Sequence, residues 1–238
     1  MRLIFALMSV VVIAACSPTP APPPSSGSAT TAAPVAPPVV PARLAAKNFV
    51  SVVDSVEPVA ERICRAEAPG AKCDFQIVVD QRPDQPPNAY QTLDKAGRPI
   101  IAFTVSLIAE TRNRDEIAFI IGHEAAHHIA GHLARRAESA QRGALLAGVL
   151  ASIGGAADDA VRAAVQLGAE VGARTYSKDF ELEADALGTV IAFRAGFDPV
   201  VGARYFERIP DPGNRFLGTH PPNRQRVQTV RETMSSLR

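Results

Sequence analysis

The sequence predicts an α+β fold that is mostly helical, with a small β-sheet beside one central helix. Three observations predict it. Apolar residues recur at helical spacing over residues 44–65 and 113–137, and helix-like stretches follow at 161–171 and 177–185. Two short β-branched runs, 75–79 and 100–105, are bounded by turn residues and read as strands. Residues 43–238 are long enough for one domain with a core of its own.

The chain begins Met1-Arg2, followed by an apolar run over residues 3–15. That run is too short to span a bilayer comfortably and has the length of a signal peptide. It ends Ile13-Ala14-Ala15-Cys16, which resembles the bacterial lipoprotein processing box, where Cys16 becomes the lipidated first residue. An ordinary secretory signal with a stray cysteine and a membrane anchor are the alternatives. Ser17 after the cysteine, rather than Asp, resembles lipoproteins forwarded to the outer membrane. The expected place is therefore the periplasm, with the body held to a membrane through Cys16.

Residues 16–42 are then the lipidated cysteine and a tether. Nine prolines lie among Ala, Ser and Thr in 17–41, a composition that cannot bury a core. Fully extended it reaches ~75 Å at about 3.1 Å per residue. With Cys16 used by lipid, Cys64 and Cys73 remain. An oxidising compartment favours a disulfide between them, and two free buried thiols are the alternative. The net charge of +1, with no basic cluster interleaved with aromatics, gives a nucleic-acid role no electrostatic support.

Within the body, residues 44–65 carry an apolar stripe through Phe49, Val52, Val56, Val59 and Ile63, interrupted by Pro58, and read as one helix with a kink there. The strand at 75–79 is followed by a proline-rich loop at 82–87, and Asn88-Ala89-Tyr90 opens the next segment. Pro99 heads the second β-branched run and suits the start of an edge strand, where a missing donor costs least. Such an edge can accept a substrate backbone by strand addition, or be an ordinary sheet edge. Asn113 and Glu116 have the spacing of a capping box at the start of the next helix.

That helix carries Gly122-His123-Glu124-Ala125-Ala126-His127. Residues four apart lie on one helical face, so His123 and His127 can ligate one zinc while Glu124 takes a proton from water beside it. His128 and His132 are five positions on from His123 and His127. On a continuous helix they point away and form a separate pair, either a second metal site or, without being ligands themselves, structural groups or groups that support the ligands from behind. Residues 143–157, rich in Ala, Gly and Leu and split by Gly154-Gly155, read as a helix packed on the body or a mobile cover, as a membrane-surface contact, or as an insertion.

Zinc held by two histidines needs a third protein ligand and an open position. The segment Ser177-Lys178-Asp179-Phe180-Glu181-Leu182-Glu183-Ala184-Asp185 offers carboxylates, with Ser177 or Asp179 available as a cap. Glu181 and Asp185 share a helical face, and Glu183 points elsewhere. A solvated acidic face is the plain alternative.

The order Gly122-His123-Glu124-x-x-His127, Tyr176-Ser177-Lys178-x-x-Glu181-x-Glu183-Ala184-Asp185, then Thr219-His220-Pro221-Pro222 with Arg226 resembles the HtpX/CAAX-prenyl-endopeptidase family of zinc metallopeptidases. Asn88-Ala89 resembles it too; Lys178 stands where that family usually has Arg. The transmembrane helices of its integral-membrane branch are missing, so the chain looks like the soluble periplasmic lipoprotein branch. The resemblance implies a zincin-like domain over 43–238, with His123, His127 and Glu181 as ligands to one Zn2+ and Glu124 as general base. It also implies that Asp185 orients a ligand histidine and that His220 either stabilises the oxyanion or rests on the metal. Arg226 pairs with substrate or with Asp185. The implied function is metalloendopeptidase in envelope quality control, acting on misfolded or unassembled polypeptides. Two rivals stand: a zinc-bound chaperone or assembly lipoprotein with latched or vestigial activity, and a structural lipoprotein that uses the metal only for its fold. No oligomeric state follows from the sequence.

Overall fold

The apolar stripe at 44–65 forms helix α1, Ala42–Glu67, whose buried side carries Phe49, Val52, Val56, Val59 and Ile63. Pro58 lies inside this helix on its exposed face, where water can satisfy the carbonyl its missing N–H leaves unpaired. The computed structural model describes residues 40–213 and 220–238. The leader, Cys16 and the tether up to Val39, together with Thr219, lie outside the described residues.

Three strands follow: β1, Gln76–Asp80; β2, Ala89–Leu93; and β3, Pro99–Thr104. Their order is β1-β3-β2, with β1 parallel and β2 antiparallel to β3. This corrects the expectation for Pro99. Its strand is the central one, and Pro99 is tolerated because it is the first residue, paired only with Leu93 at the sheet's end. The edge that faces the site is β2. The side chains of Ile101 and Phe103 are fully buried, which is what a central strand covered by helices requires. Val105, expected in the strand, instead begins α2, Val105–Glu110, because Thr104 caps it by accepting the Leu107 N–H on its side-chain oxygen.

Helix α3, Arg114–Ile129, runs through the centre. Every residue from 116 to 126 is buried, as befits a helix enclosed on all sides. Asn113 caps it by accepting the Glu116 N–H at 2.9 Å. The reciprocal half of the expected capping box is displaced: the Glu116 carboxylate takes the Arg112 N–H and a two-pronged bond from Arg208 at 2.7 and 2.8 Å. The helical pattern does not continue to residue 137. At Gly131 the backbone turns left-handed (φ 67°), a conformation that costs glycine no side-chain clash, and α4, His132–Ile153, leaves in a new direction.

Helix α4 and α5, Asp158–Thr175, make a hairpin packed on itself. Residues 143–157 therefore form the distal half of α4 and the turn after it, with α5 as neighbour rather than the body. Leu145, Leu146, Leu150 and Ile153 stand between 61 % and 80 % exposed on it. No helix among the described residues is long and apolar enough to cross a membrane.

Helix α6, Ser177–Arg194, returns across α3. Neither Ser177 nor Asp179 caps it; the position before it is Tyr176, and the Ser177 hydroxyl donates to the Ala173 carbonyl. Where the helices cross, a β-carbon on Gly122 would lie 2.7 Å from the Gly188 carbonyl oxygen, and one on Gly188 would lie 2.7 Å from the His123 nitrogen. Both contacts are to backbone, so only glycine at both positions permits this approach. The chain closes with α7, Pro199–Gly202, a 3-10 turn at Ala203–Glu207, and α8, Asn223–Ser236.

Cys64, at the end of α1, is disulfide-bonded to Cys73, which leads into β1. The bridge closes a short loop and ties helix to sheet. Removing it by Cys64→Ala/Cys73→Ala should cost about 2–3 kcal/mol in urea denaturation, the loop-closure entropy of about ten residues. A loss below about 0.5 kcal/mol would mean that packing alone holds the junction.

Candidate metal centre and cleft

The α3–α6 crossing sets the site. His123 and His127 are one turn apart on α3, and Glu181 and Asp185 one turn apart on α6, so the close glycine contact brings the two pairs face to face. His123 Nε2 and His127 Nε2 lie 3.1 Å apart. Glu181 Oε1 is 3.4 Å from His127 Nε2, and its Oε2 is 3.6 Å from His123 Nε2. Among the described residues these three form the group able to hold a metal ion. Tetrahedral zinc with bonds of about 2.0–2.1 Å sets its ligand atoms about 3.3 Å apart. The donor set and its spacing fit that ion.

Asp185 is wholly buried and lies 3.0 Å from His123 Nδ1, the nitrogen turned away from the cluster. Arg226, from the first turn of α8, grips both oxygens of Asp185 at 2.8 and 2.7 Å and packs its guanidinium 3.9 Å over the Phe206 ring. Of the two partners open to Arg226 from sequence, the structure pairs it with Asp185. His220 Nδ1 lies 3.1 Å from Glu181 Oε2, and about half of the His220 side chain is exposed. Glu124 is buried and lines the same cleft as the cluster.

The electrostatics favour a metal-ready carboxylate. Burial works to raise the Glu181 pKa, but hydrogen bonds from His127 and His220 and the charges of His123 and Arg226 outweigh it and hold the group well below the usual range. Asp185 is likewise pushed up by burial and brought lower on balance by Arg226 and His123. Burial pulls His127 down, yet the Glu181 hydrogen bond and the negative charge of Glu124 prevail and the net shift is upward.

The direction expected of His132 is corrected. Because α3 ends at Ile129, His132 does not pair with His128 on one helix. It swings back so that its Nδ1 lies 2.8 Å from His127 Nδ1, and its Nε2 lies 3.2 Å from Glu183 Oε2. Burial pushes the His132 pKa down to about 4. His128 turns elsewhere, to the Lys72 carbonyl at 2.7 Å. Glu183 does point away from Glu181, as its spacing requires, and meets His132 and Arg135 there. The signal for this was Gly131, a helix-stopping residue just ahead of His132.

The cleft in front of the cluster measures about 570 Å³. Asn88, Ala89, Tyr90 and Gln91 of β2 and the loop before it form one wall. Leu107, Phe119, Tyr205, Phe206 and Ile209 supply an apolar wall that no sequence signal marked.

A His-His-Glu triad lining a cleft, with a further carboxylate beside the first histidine on the same helix, is the arrangement of a metallopeptidase, a hydrolase of peptide bonds. The chain belongs to peptidase family M48, whose family model matches residues 48–234. No curated protein matches it.

Proposed function

We propose that this M48 peptidase is a zinc-dependent metalloendopeptidase of the bacterial cell envelope that hydrolyses misfolded or unassembled polypeptides. The observation that carries the reading is the ligand cluster: His123 Nε2 and His127 Nε2 are 3.1 Å apart, and the two oxygens of Glu181 lie 3.6 and 3.4 Å from them. When bound, zinc supplies a Lewis acid that polarises a carbonyl and acidifies a water. The remaining work falls to the chain's own groups. Glu124 accepts the proton of the attacking water and returns it to the leaving amine. His220 steadies the developing oxyanion from the rim. Asp185 fixes His123 in the tautomer that turns Nε2 to the metal, and Arg226 keeps Asp185 charged.

The outer edge of β2, unpaired among the described residues, accepts the substrate backbone as an added strand, and the apolar wall takes one of its side chains. Both features suit an extended chain with exposed apolar residues, as an unfolded protein presents. The envelope assignment is supported by the leader, by Cys16 as a lipid attachment point for the outer membrane, and by the disulfide, which persists in oxidising compartments. The domain division into leader, tether and catalytic body follows from the same reading. The contact between His220 and Glu181 favours a second reading, in which His220 latches the site and the protein acts mainly as a chaperone or assembly factor.

Purified protein should carry one zinc and cleave an unfolded model substrate, lose cleavage on chelation, and regain it with zinc. One zinc without cleavage of any unfolded substrate would favour the latched reading, and no zinc would sink both.

Zinc affinity should depend on pH through His127. Its imidazole must lose its proton to bind metal, whereas Glu181 stays ionised throughout. Since the metal-free His127 pKa is raised above 6.5, affinity should start falling above that pH on acidification, by about tenfold per unit once the proton is bound. The metal-free fold runs oppositely. A raised folded pKa contributes stability that is present below 6.5 and lost as pH rises through the shifted value. Chelator competition and urea melts across pH 5–9 check both signs. A fall confined to below about pH 5 would place control on the carboxylate instead.

A further inference from the structure

We propose that His132, Glu183 and Arg135 form a positioning relay behind His127, which fixes the ring nitrogen that this residue turns toward the metal. The proposal rests on the metallopeptidase reading of the site. It follows from proton bookkeeping along three consecutive contacts. His127 Nε2 faces His123 and Glu181, and His127 Nδ1 lies 2.8 Å from His132 Nδ1. Two ring nitrogens that close share one proton. A ligating Nε2 needs its lone pair, so the proton of neutral His127 sits on Nδ1 and His132 Nδ1 accepts it. Neutral His132 then carries its own proton on Nε2, 3.2 Å from Glu183 Oε2, which accepts. Glu183 also accepts from Arg135 Nη1 at 2.8 Å. Every donor meets an acceptor, and reversing either bond of the His132 ring would put a proton on the ligating nitrogen.

The ring of His132 is held for this role. It is buried and stacks on Phe180 at 4.6 Å with the planes 13° apart. Arg135 lies 4.3 Å over the same Phe180 ring. Phe180 is on the helix that supplies Glu181, so ligand and relay share one support. The break at Gly131 is what lets a residue only five positions past His127 reach its far side; on a continuous helix it would point away. The two ligand histidines are thus backed alike, each ending on a carboxylate paired with an arginine. For His123 the carboxylate of Asp185 is direct and buried. For His127 an imidazole is interposed, and the chain ends at Glu183 and Arg135, whose side chains are nearly half exposed.

The test is zinc affinity measured by chelator competition, with the absorption spectrum of the cobalt-substituted protein as a second readout. His132→Phe keeps an aromatic ring against Phe180 but offers no acceptor. His132→Asn can place its carboxamide oxygen where Nδ1 stood. Relative to wild type, His132→Phe should weaken zinc about 10–100-fold and shift the cobalt spectrum, while His132→Asn stays within about threefold. Glu183→Ala, which removes the acceptor at the exposed end, should weaken zinc about two- to tenfold and serves if His132→Phe does not fold. Wild-type affinity in His132→Phe overturns the relay, or in Glu183→Ala if that variant must stand in. Equal losses in the Phe and Asn variants overturn it too, since they would mean lost packing rather than a lost acceptor. A wild type that binds no zinc overturns the metal reading itself, and so differs from a failure of the relay alone.

Discussion

Glu124→Gln should lower kcat by about 10²–10⁴-fold and leave zinc at one per chain. The substitution preserves shape and removes the only property the proposed mechanism asks of Glu124, a carboxylate that takes and returns a proton. Since Glu124 lies outside the ligand cluster, the metal has no reason to leave. The pH dependence of zinc binding should change as well. The negative charge of Glu124 is one of the causes that raise the His127 pKa, so without it the proton competes less strongly for that ligand. The acid-side fall of its zinc affinity should therefore begin at a lower pH than in wild type. KM should change little, because substrate binding is assigned to the β2 edge and the apolar wall. Metal analysis, steady-state kinetics and chelator titrations across pH 5–9 test these parts separately. Full cleavage by the variant would remove Glu124 from the mechanism, and loss of zinc would make it structural. The same inert variant, used to trap substrates from a periplasmic extract, would identify what the protein cuts.

The sequence made the ligand face legible because each half of it is local. H-E-x-x-H and Glu181-x-x-x-Asp185 both rest on the helical repeat, which needs no knowledge of the fold. What brings the halves together is the Gly122–Gly188 contact, and a glycine in a helical pattern carries no sign of its partner 66 positions away. His132 was misplaced for a related reason. Apolar periodicity runs on through Ile129 and Leu133, and it concealed the break that Gly131 makes between them. The strand runs were readable, but sheet order was not. Pro99 is compatible with an edge strand and with the first residue of a central one, and only pairing on both sides of β3 decides. The apolar wall was missed because Tyr205, Phe206 and Ile209 follow no regular pattern in sequence and converge with Leu107 and Phe119 only in the fold.

Arg226→Leu should destabilise the metal-free protein by about 3–5 kcal/mol. Asp185 is wholly buried, and its two oxygens are held by Arg226 at 2.7 and 2.8 Å. Taking the guanidinium away leaves a carboxylate in the interior with only His123 beside it. For a domain of this size the melting temperature should fall by about 6–20 °C. The pH dependence gives the cause away. In the wild type, Asp185 has a lowered folded pKa, so its contribution is present above the ordinary 3.8 and lost as pH falls through the lower folded value. In Arg226→Leu, burial acts with much less opposition and the pKa moves up. Protonation then relieves the stranded charge, and the stability deficit should shrink as the pH is lowered toward 5. A deficit that is flat with pH would trace the loss to the packing of Arg226 on Phe206 instead. Replacing both partners, as in Arg226→Leu/Asp185→Leu, should restore much of the stability, because two apolar side chains leave no buried charge. Zinc affinity should stay about 10–100-fold down in that double variant, since His123 Nδ1 would still lack its acceptor. Stability recovered without zinc affinity would separate what the Asp185–Arg226 pair does for the fold from what it does for the metal.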